Sequence, residues 1–424
     1  MSFDEAYEYL LSLGHETLTI KLGLRNTERL LAALDNPHTA YPSVQIAGTN
    51  GKGSTAVMLE SICRTAGIRV GLFTSPHLIS ITERIRIDGK DISEDEFARL
   101  TEHVKQVAEA LVRQGELQTL PTFFEHVTAI ALLAFQEANI ELAILETGLG
   151  GRLDSTTAAG AKIVAITAVS MDHEEYLGHT LAEIAMEKAA IIRPGVAAII
   201  APQAPQALAV IEQQCQTAGV APRLLDDPLS ILISRNSDPK LGLRGRHQVV
   251  NATTAAAMAQ SLRELAFIIP DEAIAKGLEA AEHRGRLELW DGRPPILFDG
   301  AHNPAAARAL RDYLNEFVDQ PITMIFGAMR DKALHEMASI LFPVAARIVL
   351  TPLDNPRAAT VEAMESAAPS DLDRSKLSRA TSVADAMRIA RGMTPPTGLI
   401  VVTGSLYLVG AVQESHVAVH QPAN

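Results

Sequence analysis

The chain has 424 residues, 47% of them hydrophobic and 21% charged, and a formal net charge of −13 from 37 basic and 50 acidic side chains. That length exceeds one typical core, so two or more domains are expected. The acidic balance excludes a general nucleic-acid or anionic-membrane binder, but it leaves room for an anionic small substrate at a locally basic site.

The N-terminus, Met1-Ser-Phe-Asp-Glu-Ala6, is acidic and carries no secretory apolar segment. The apolar run 44–47 predicts a strand. It leads into Gly48-Thr-Asn-Gly-Lys-Gly-Ser54, after which Met58, Leu59, Ile62, Cys63 and Ala66 form a helical stripe ending at Gly67. Strand, glycine-rich turn and helix start aim backbone N–H groups at one point, which suits a phosphate. Gly48, Thr49, Asn50, Gly51, Lys52, Gly53 and Ser54 are the candidate ligands. Lys52 would add a point charge, and Ser54 or Thr55 a hydroxyl for magnesium. The general form of such a loop has Ser or Thr directly after Gly-Lys; here Gly53 intervenes.

Further apolar runs at 69–73, 141–145 and 163–169 alternate with helical patterns at 94–113 and 124–138. A second set follows at 296–298, 322–326, 347–350 and 399–402. Near-continuous apolar runs of this length fit parallel strands buried on both faces. The expected fold is α/β, with a P-loop ATPase-like parallel-sheet domain over 1–285 and a smaller Rossmann-like domain over 296–424. The segment 286–295, with Gly292, Pro294 and Pro295, is the expected linker. The two cysteines, Cys63 and Cys215, lack metal spacing and predict no disulfide framework. No apolar run is long enough to span a bilayer, so the expected location is the cytoplasm.

Ligands of parallel sheets bind beyond the carboxyl ends of strands. Those positions here carry Thr74-Ser-Pro-His77, Glu146 with 147–154, Ser170-Met-Asp-His173, and Asp299-Gly-Ala-His-Asn303. Ser75, Glu146 and His173 form a candidate magnesium group, although imidazole is an unusual magnesium ligand and His173 reads equally well as a turn residue. Thr180 and Glu183 make a capping-box pattern, and Lys188 falls on the apolar face of the helix they open. Its ammonium either reaches water past a buried stem or is held in a site, with a lowered pKa or a covalent modification. Arg84, Arg86, Arg152, Arg284, Arg286, Arg330 and Lys332 are candidates for phosphate or carboxylate binding, and each alone also reads as a solvated surface charge. Phe123 and Phe124 open a helical pattern as core residues, and one of them could stack on a flat heterocycle.

Taken together, these residues resemble bacterial dihydrofolate synthase/folylpolyglutamate synthase, a branch of the Mur-ligase-like ATP-dependent amide ligases. The resemblance runs almost the full length. It includes Lys21-Leu-Gly-Leu24, Ala47 with the 48–54 loop, Thr74-Ser-Pro-His77, Thr82-Glu-Arg-Ile85, Thr122-Phe-Phe-Glu125 and Glu146-Thr-Gly-Leu-Gly-Gly-Arg-Leu-Asp154. It continues through Asp172-His173, Glu187-Lys-Ala189, Gly245-Arg-His-Gln248 with Asn251, Arg284-Gly-Arg-Leu287, Asp299-Gly-Ala-His-Asn-Pro304 and Gly404-Ser-Leu-Tyr407. The intervening Gly53 is how this branch writes its loop.

The resemblance implies roles. Residues 48–54 would hold the ATP phosphates, and Ser75, Glu146 and His173 would organise magnesium. Lys188 matches a lysine that is carbamylated in this family and would hold a second ion. Asn251, Arg286, Asp299 and His302 would reach the nucleotide, and contacts from both domains imply closure over the site. Phe124 and Asp154 match pterin-side positions, with Arg84 and Arg152 as further substrate candidates. The implied partners are ATP, L-glutamate and dihydropteroate or reduced folates, with neither nucleic acid nor membrane, and the expected state is a monomer. One departure stands at Thr157, where family members often have Asn. Three alternatives remain: a folylpolyglutamate synthase with one activity, a cell-wall Mur ligase, and a nucleotide-binding switch without ligase chemistry. The loop's position about fifty residues into the chain disfavours the Mur ligase, because no domain for a nucleotide-sugar substrate precedes it.

Overall fold

The computed structural model describes residues 1–14, 23–225 and 240–420, the last five by backbone alone. Lys21 and Leu22 of the resemblance lie outside the described residues. The chain divides into two compact units, Met1–Gly242 with Val249–Glu282, and Leu243–Gln248 with His283–Asn424.

The first unit is built on an eight-stranded sheet. Its strands are β1 (Ser43–Ala47), β2 (Val70–Phe73), β3 (Ile85–Ile87), β4 (Lys90–Asp91), β5 (Leu142–Glu146), β6 (Ile163–Ile166), β7 (Ala197–Ile200) and β8 (Arg223–Leu224). The spatial order is β4-β3-β2-β5-β1-β6-β7-β8. All pairings are parallel except β2–β3 and β3–β4. Every residue of β1, β2, β5 and β6 is buried, as expected of strands covered on both faces.

The helices begin where the sequence signals them. Ser93 caps Glu94–Arg113, and its Oγ accepts the Glu96 N–H. Thr122 with Glu125, and Thr180 with Glu183, form reciprocal capping boxes at Phe123–Glu137 and Leu181–Ala189. Phe97, Leu100, Val104, Ala108 and Leu111 make the buried stripe of Glu94–Arg113 and pack in one core with Phe123, Val127 and Phe135.

The second unit holds a six-stranded sheet of β9 (Glu288–Trp290), β10 (Ile296–Asp299), β11 (Ile322–Phe326), β12 (Arg347–Leu350), β13 (Leu377–Arg379) and β14 (Leu399–Thr403). Its order is β13-β12-β11-β14-β10-β9, with only β9 antiparallel. The expected linker at 286–295 needs correction, because it contains β9, which pairs in register with β10 from Ile296↔Trp290 to Phe298↔Glu288. Trp290 packs edge-on against Phe298 with ring centroids 4.9 Å apart, which ties the segment into the second unit. The predicted strand at 163–169 stops at Ile166. Beyond it the chain turns towards Gln203, which accepts the Val169 N–H at 3.0 Å.

Candidate active site

Four neighbouring strands, β2, β5, β1 and β6, end at the same edge of the first sheet. Ser75 follows β2, Glu146 closes β5, the 48–54 loop follows β1, and His173 lies beyond β6. Parallel register from Ile46↔Glu146 to Ala47↔Ile166 thus gathers residues scattered along the chain from Gly48 to His173.

The loop is tightly seated. A Cβ on Gly48 would come 1.9 Å from Thr167 Oγ1, and one on Gly51 2.2 Å from Asn251 Oδ1; both residues also have positive φ, so glycine is required at each. Thr49 and Asn50 both donate backbone N–H groups to Ala168 O, at 2.9 and 3.1 Å. Thr49 Oγ1 donates to Ser170 O at 3.0 Å, and Asn50 Nδ2 donates to Ser170 Oγ at 2.9 Å. In this arrangement Thr49 and Asn50 anchor the loop. The first-turn N–H groups of helix Lys52–Thr65, whose N-cap, Gly51, supplies no side-chain acceptor, are the groups suited to meet an anion. Lys52 Nζ donates back to Gly48 O at 3.2 Å and Thr49 O at 3.4 Å, above the same turn.

Lys188 reaches this loop from the helix Leu181–Ala189. It is 5% exposed, and its Nζ donates to Gly48 O at 2.8 Å. Its ammonium therefore does not reach water past a buried stem. Burial, reinforced by the positive charge of Lys52, lowers its pKa to about 7.

Glu146 is buried, and its Oε2 accepts the Ser75 N–H at 3.0 Å. His173 adopts left-handed backbone, φ 53°, and its N–H donates to Asp172 Oδ1 at 2.9 Å. A non-glycine residue held there is uncommon, and such positions concentrate at functional sites. Among the described residues no group of three His, Cys, Asp or Glu side chains is placed to hold a metal. The Ser75 hydroxyl and the Glu146 carboxylate suit an ion that completes its shell with water and phosphate oxygens, as magnesium does, while the His173 imidazole is a less usual ligand for it.

Beside Glu146, the 147–157 loop is held by Asp154. Its Oδ2 accepts Gly148 N–H (3.0 Å) and Leu149 N–H (2.9 Å), and its Oδ1 accepts the N–H (3.0 Å) and Oγ1 (2.6 Å) of Thr156. Burial pushes its carboxyl pKa up against these four bonds. The carboxylate is thus committed within the loop. Thr157 Oγ1 donates to Gly151 O at 2.8 Å and accepts from Gln45 Nε2, also at 2.8 Å. Phe124 is half-buried. Its ring lies against Gly148 and is tilted on Phe73 at 5.8 Å.

The two arginines assigned to substrate differ sharply. Arg84 is 2% exposed, donates from Nε to His77 Nδ1 at 2.9 Å and lies 5.3 Å from the Phe123 ring centre. It is not a surface charge, being buried, with His77 as its hydrogen-bond acceptor. Arg152 is half-exposed and pairs with Glu187 at 3.0 Å. Urea unfolding is expected to show a loss of about 1–3 kcal/mol for Arg84→Ala, because the half-buried acceptor His77 Nδ1 loses its donor. Arg152→Ala should cost less than about 1 kcal/mol, as solvent screens its ion pair. Equal losses would contradict this reading.

In the second unit, Asp299 accepts Leu287 N–H and Ala301 N–H, both at 3.0 Å, and burial raises its pKa against the pull of Arg286. His302 Nδ1 bonds Gly300 O at 2.8 Å, and Arg286 Nη1 would lie 3.4 Å from a Cβ on Gly300. Arg286 therefore approaches the end of β10, where Asp299 and His302 lie. Asn251 belongs with the first unit, against Gly51. Gln45 carries no sequence signal, since a lone glutamine in an apolar run makes no motif; Ser170 stands among the strand-end residues but with no role of its own.

Two family models match the chain: the Mur ligase middle domain over residues 46–221, and the Mur ligase glutamate ligase domain over 285–406. Fold and site thus define a Mur ligase-type protein. The chain is 33% identical to the dihydrofolate synthase/folylpolyglutamate synthase of Bacillus subtilis over 96% of its own length and 99% of that protein's. The chain belongs to the dihydrofolate synthase/folylpolyglutamate synthase family. It is also 34% identical, over 96% of its length, to a probable bifunctional folylpolyglutamate synthase/dihydropteroate synthase of Haloferax volcanii, of which it spans about half (50%). Among solved structures, Mycobacterium tuberculosis folylpolyglutamate synthase complexed with ADP matches with a TM-score of 0.90 at 30% identity, over 100% of this chain and 99% of that one. Escherichia coli FolC in complex with DHPP and ADP matches with a TM-score of 0.86 at 29% identity, over 99% of each chain. No described helix is long and apolar enough to cross a membrane.

Proposed function

We propose that this chain is an ATP-dependent ligase that joins L-glutamate both to dihydropteroate and to tetrahydrofolate polyglutamates. The observation that carries the reading is the convergence at Gly48, where the phosphate loop, Lys52 and the buried Lys188 meet. Glu146 and Ser75 lie at the end of the same sheet. A phosphate loop, with a half-buried phenylalanine packed on Gly148 just past the neighbouring strand, suits transfer from a nucleotide to a flat, carboxylate-bearing acceptor.

The acceptor carboxylate oxygen attacks the γ-phosphorus of ATP, ADP leaves, and an acyl phosphate forms. The glutamate amine then attacks the acyl carbon, and phosphate leaves with the acceptor oxygen. The helix N-terminus at Lys52 and the ammonium of Lys52 offset the negative charge that resists the first step. Ser75, Glu146 and His173 would hold magnesium, which neutralises phosphate oxygens when bound, and a carbamate on Lys188 would hold a second ion. Arg286, Asp299, His302 and Asn251 would contact the nucleotide. The reading includes a cytoplasmic monomer with small-molecule partners, in keeping with the net charge of −13.

The test is ADP release with magnesium, ATP and glutamate, adding dihydropteroate or tetrahydrofolate in parallel. Turnover with both is expected. Turnover with tetrahydrofolate alone would reduce the chain to a polyglutamate synthase. Turnover with neither, in folded protein that binds ATP, would overturn the proposal.

A further inference from the structure

Gln45 is a polar residue at the centre of β1, fully buried between β5 and β6. Its Nε2 lies 2.8 Å from Thr157 Oγ1, 2.9 Å from Thr156 Oγ1 and 3.3 Å from Thr147 Oγ1. An amide nitrogen carries two protons, so the two shorter bonds are the strong ones and Thr147 shares.

Both nearer hydroxyls are already committed as donors, Thr156 to Asp154 Oδ1 and Thr157 to Gly151 O. They can therefore only accept from Gln45, which fixes the direction of the whole network. It runs from β1 through Thr156 to Asp154, and from Asp154 to the Gly148 and Leu149 N–H groups. Gly148 packs so closely on Phe124 that a Cβ there would lie 2.5 Å from the ring. Thr147, at the other end, directly follows Glu146.

Gln45 Oε1 has no partner among the described residues. An apolar residue would avoid that orphan, so the amide serves through its N–H groups. The departure at Thr157 fits the same picture: the amide sits on the strand and the hydroxyl on the loop.

We propose that Gln45 is a positioning residue, whose amide holds the 147–157 loop, and with it Phe124 and Glu146, in register with the phosphate loop that β1 feeds. The kinetic half of this inference rests on the folate-ligase reading; the structural half does not.

The test compares wild type with Gln45→Met, which keeps length and loses the N–H donors. Thr157→Val is made alongside, both as a second probe and for the case that Gln45→Met fails to fold. Hydrogen exchange at the Gly148 and Leu149 amides should rise about tenfold in either variant, while residues 48–54 and the Kd for ADP stay within about twofold. kcat/KM for tetrahydrofolate should fall about tenfold, as misplacement of a reacting group predicts. The double variant should be no worse than the stronger single, since both cut one network. Unchanged exchange, or raised exchange with unchanged acceptor kinetics, would overturn the proposal, as would additive effects in the double variant. Wild-type protein inert towards both pteroyl acceptors would count against the folate reading instead, and the exchange comparison would then decide the role of Gln45 alone.

Discussion

Lys188→Ala is expected to lower kcat by roughly 10²- to 10³-fold while leaving the fold intact, the loss that follows when charge stabilisation is removed from a desolvated site. Lys188 has no route to water, being 5% exposed and bonded to Gly48 O at the base of the phosphate loop. With its pKa lowered to about 7, a large fraction of its amine is neutral near neutral pH, whereas an ordinary lysine is almost wholly protonated. A neutral amine can attack CO2, forming an N–C bond and releasing a proton, and the product is an anion able to hold a metal ion. Activity should therefore rise with added bicarbonate in wild type and not in Lys188→Ala. A variant with unchanged turnover would remove Lys188 from the chemistry. The same lowered pKa has a stability signature. In CO2-free buffer the unfolded chain binds more protons than the folded one between about pH 7 and 10, so stability rises with pH across that window. The cost of the buried ammonium is fully present below pH 7. Urea unfolding at pH 6 and 9 should show Lys188→Met more stable than wild type at the lower pH, with the gap narrowing at the higher.

Glu146→Gln should reduce kcat by about 10²- to 10³-fold, equivalent to several kcal/mol of lost charge stabilisation, and raise the magnesium concentration needed for half-maximal rate. The substitution is nearly isosteric, and the Gln oxygen can still accept the Ser75 N–H that Glu146 Oε2 now accepts. Folding should thus be spared and the effect confined to charge. Titrating magnesium in both proteins checks this: an unaltered metal requirement would assign Glu146 to holding Ser75 alone.

Much of this was legible in the sequence where strong local signals agree. The helix Glu94–Arg113 was bounded correctly because a serine cap, three acidic residues and a regular apolar stripe coincide. Strands β11 and β12 stood out as short apolar runs, as did the residues at strand ends that gather around the phosphate loop. Strands β4 and β9 did not, since two or three residues at a sheet edge, among them the charged Lys90, Asp91 and Glu288, carry no periodicity. Edge pairing is a tertiary property, and the Pro- and Gly-containing segment around β9 therefore read as a linker. Burial was the other blind spot. Arg84 and Lys188 have the composition of surface residues, and only packing shows that His77 and Gly48 O receive them. Gln45 was hidden for the same reason, because its three threonine partners lie more than 100 positions away.

All the proposed site roles depend on activation of the acceptor carboxylate by direct phosphorylation. Dihydropteroate labelled with ¹⁸O in its carboxylate, incubated with ATP, glutamate and magnesium, tests it most directly. Inorganic phosphate is expected to leave with one labelled oxygen per turnover, because the acceptor oxygen bonds to phosphorus and departs with it. Amide product formed alongside unlabelled phosphate would contradict the acyl-phosphate route and the site roles built on it.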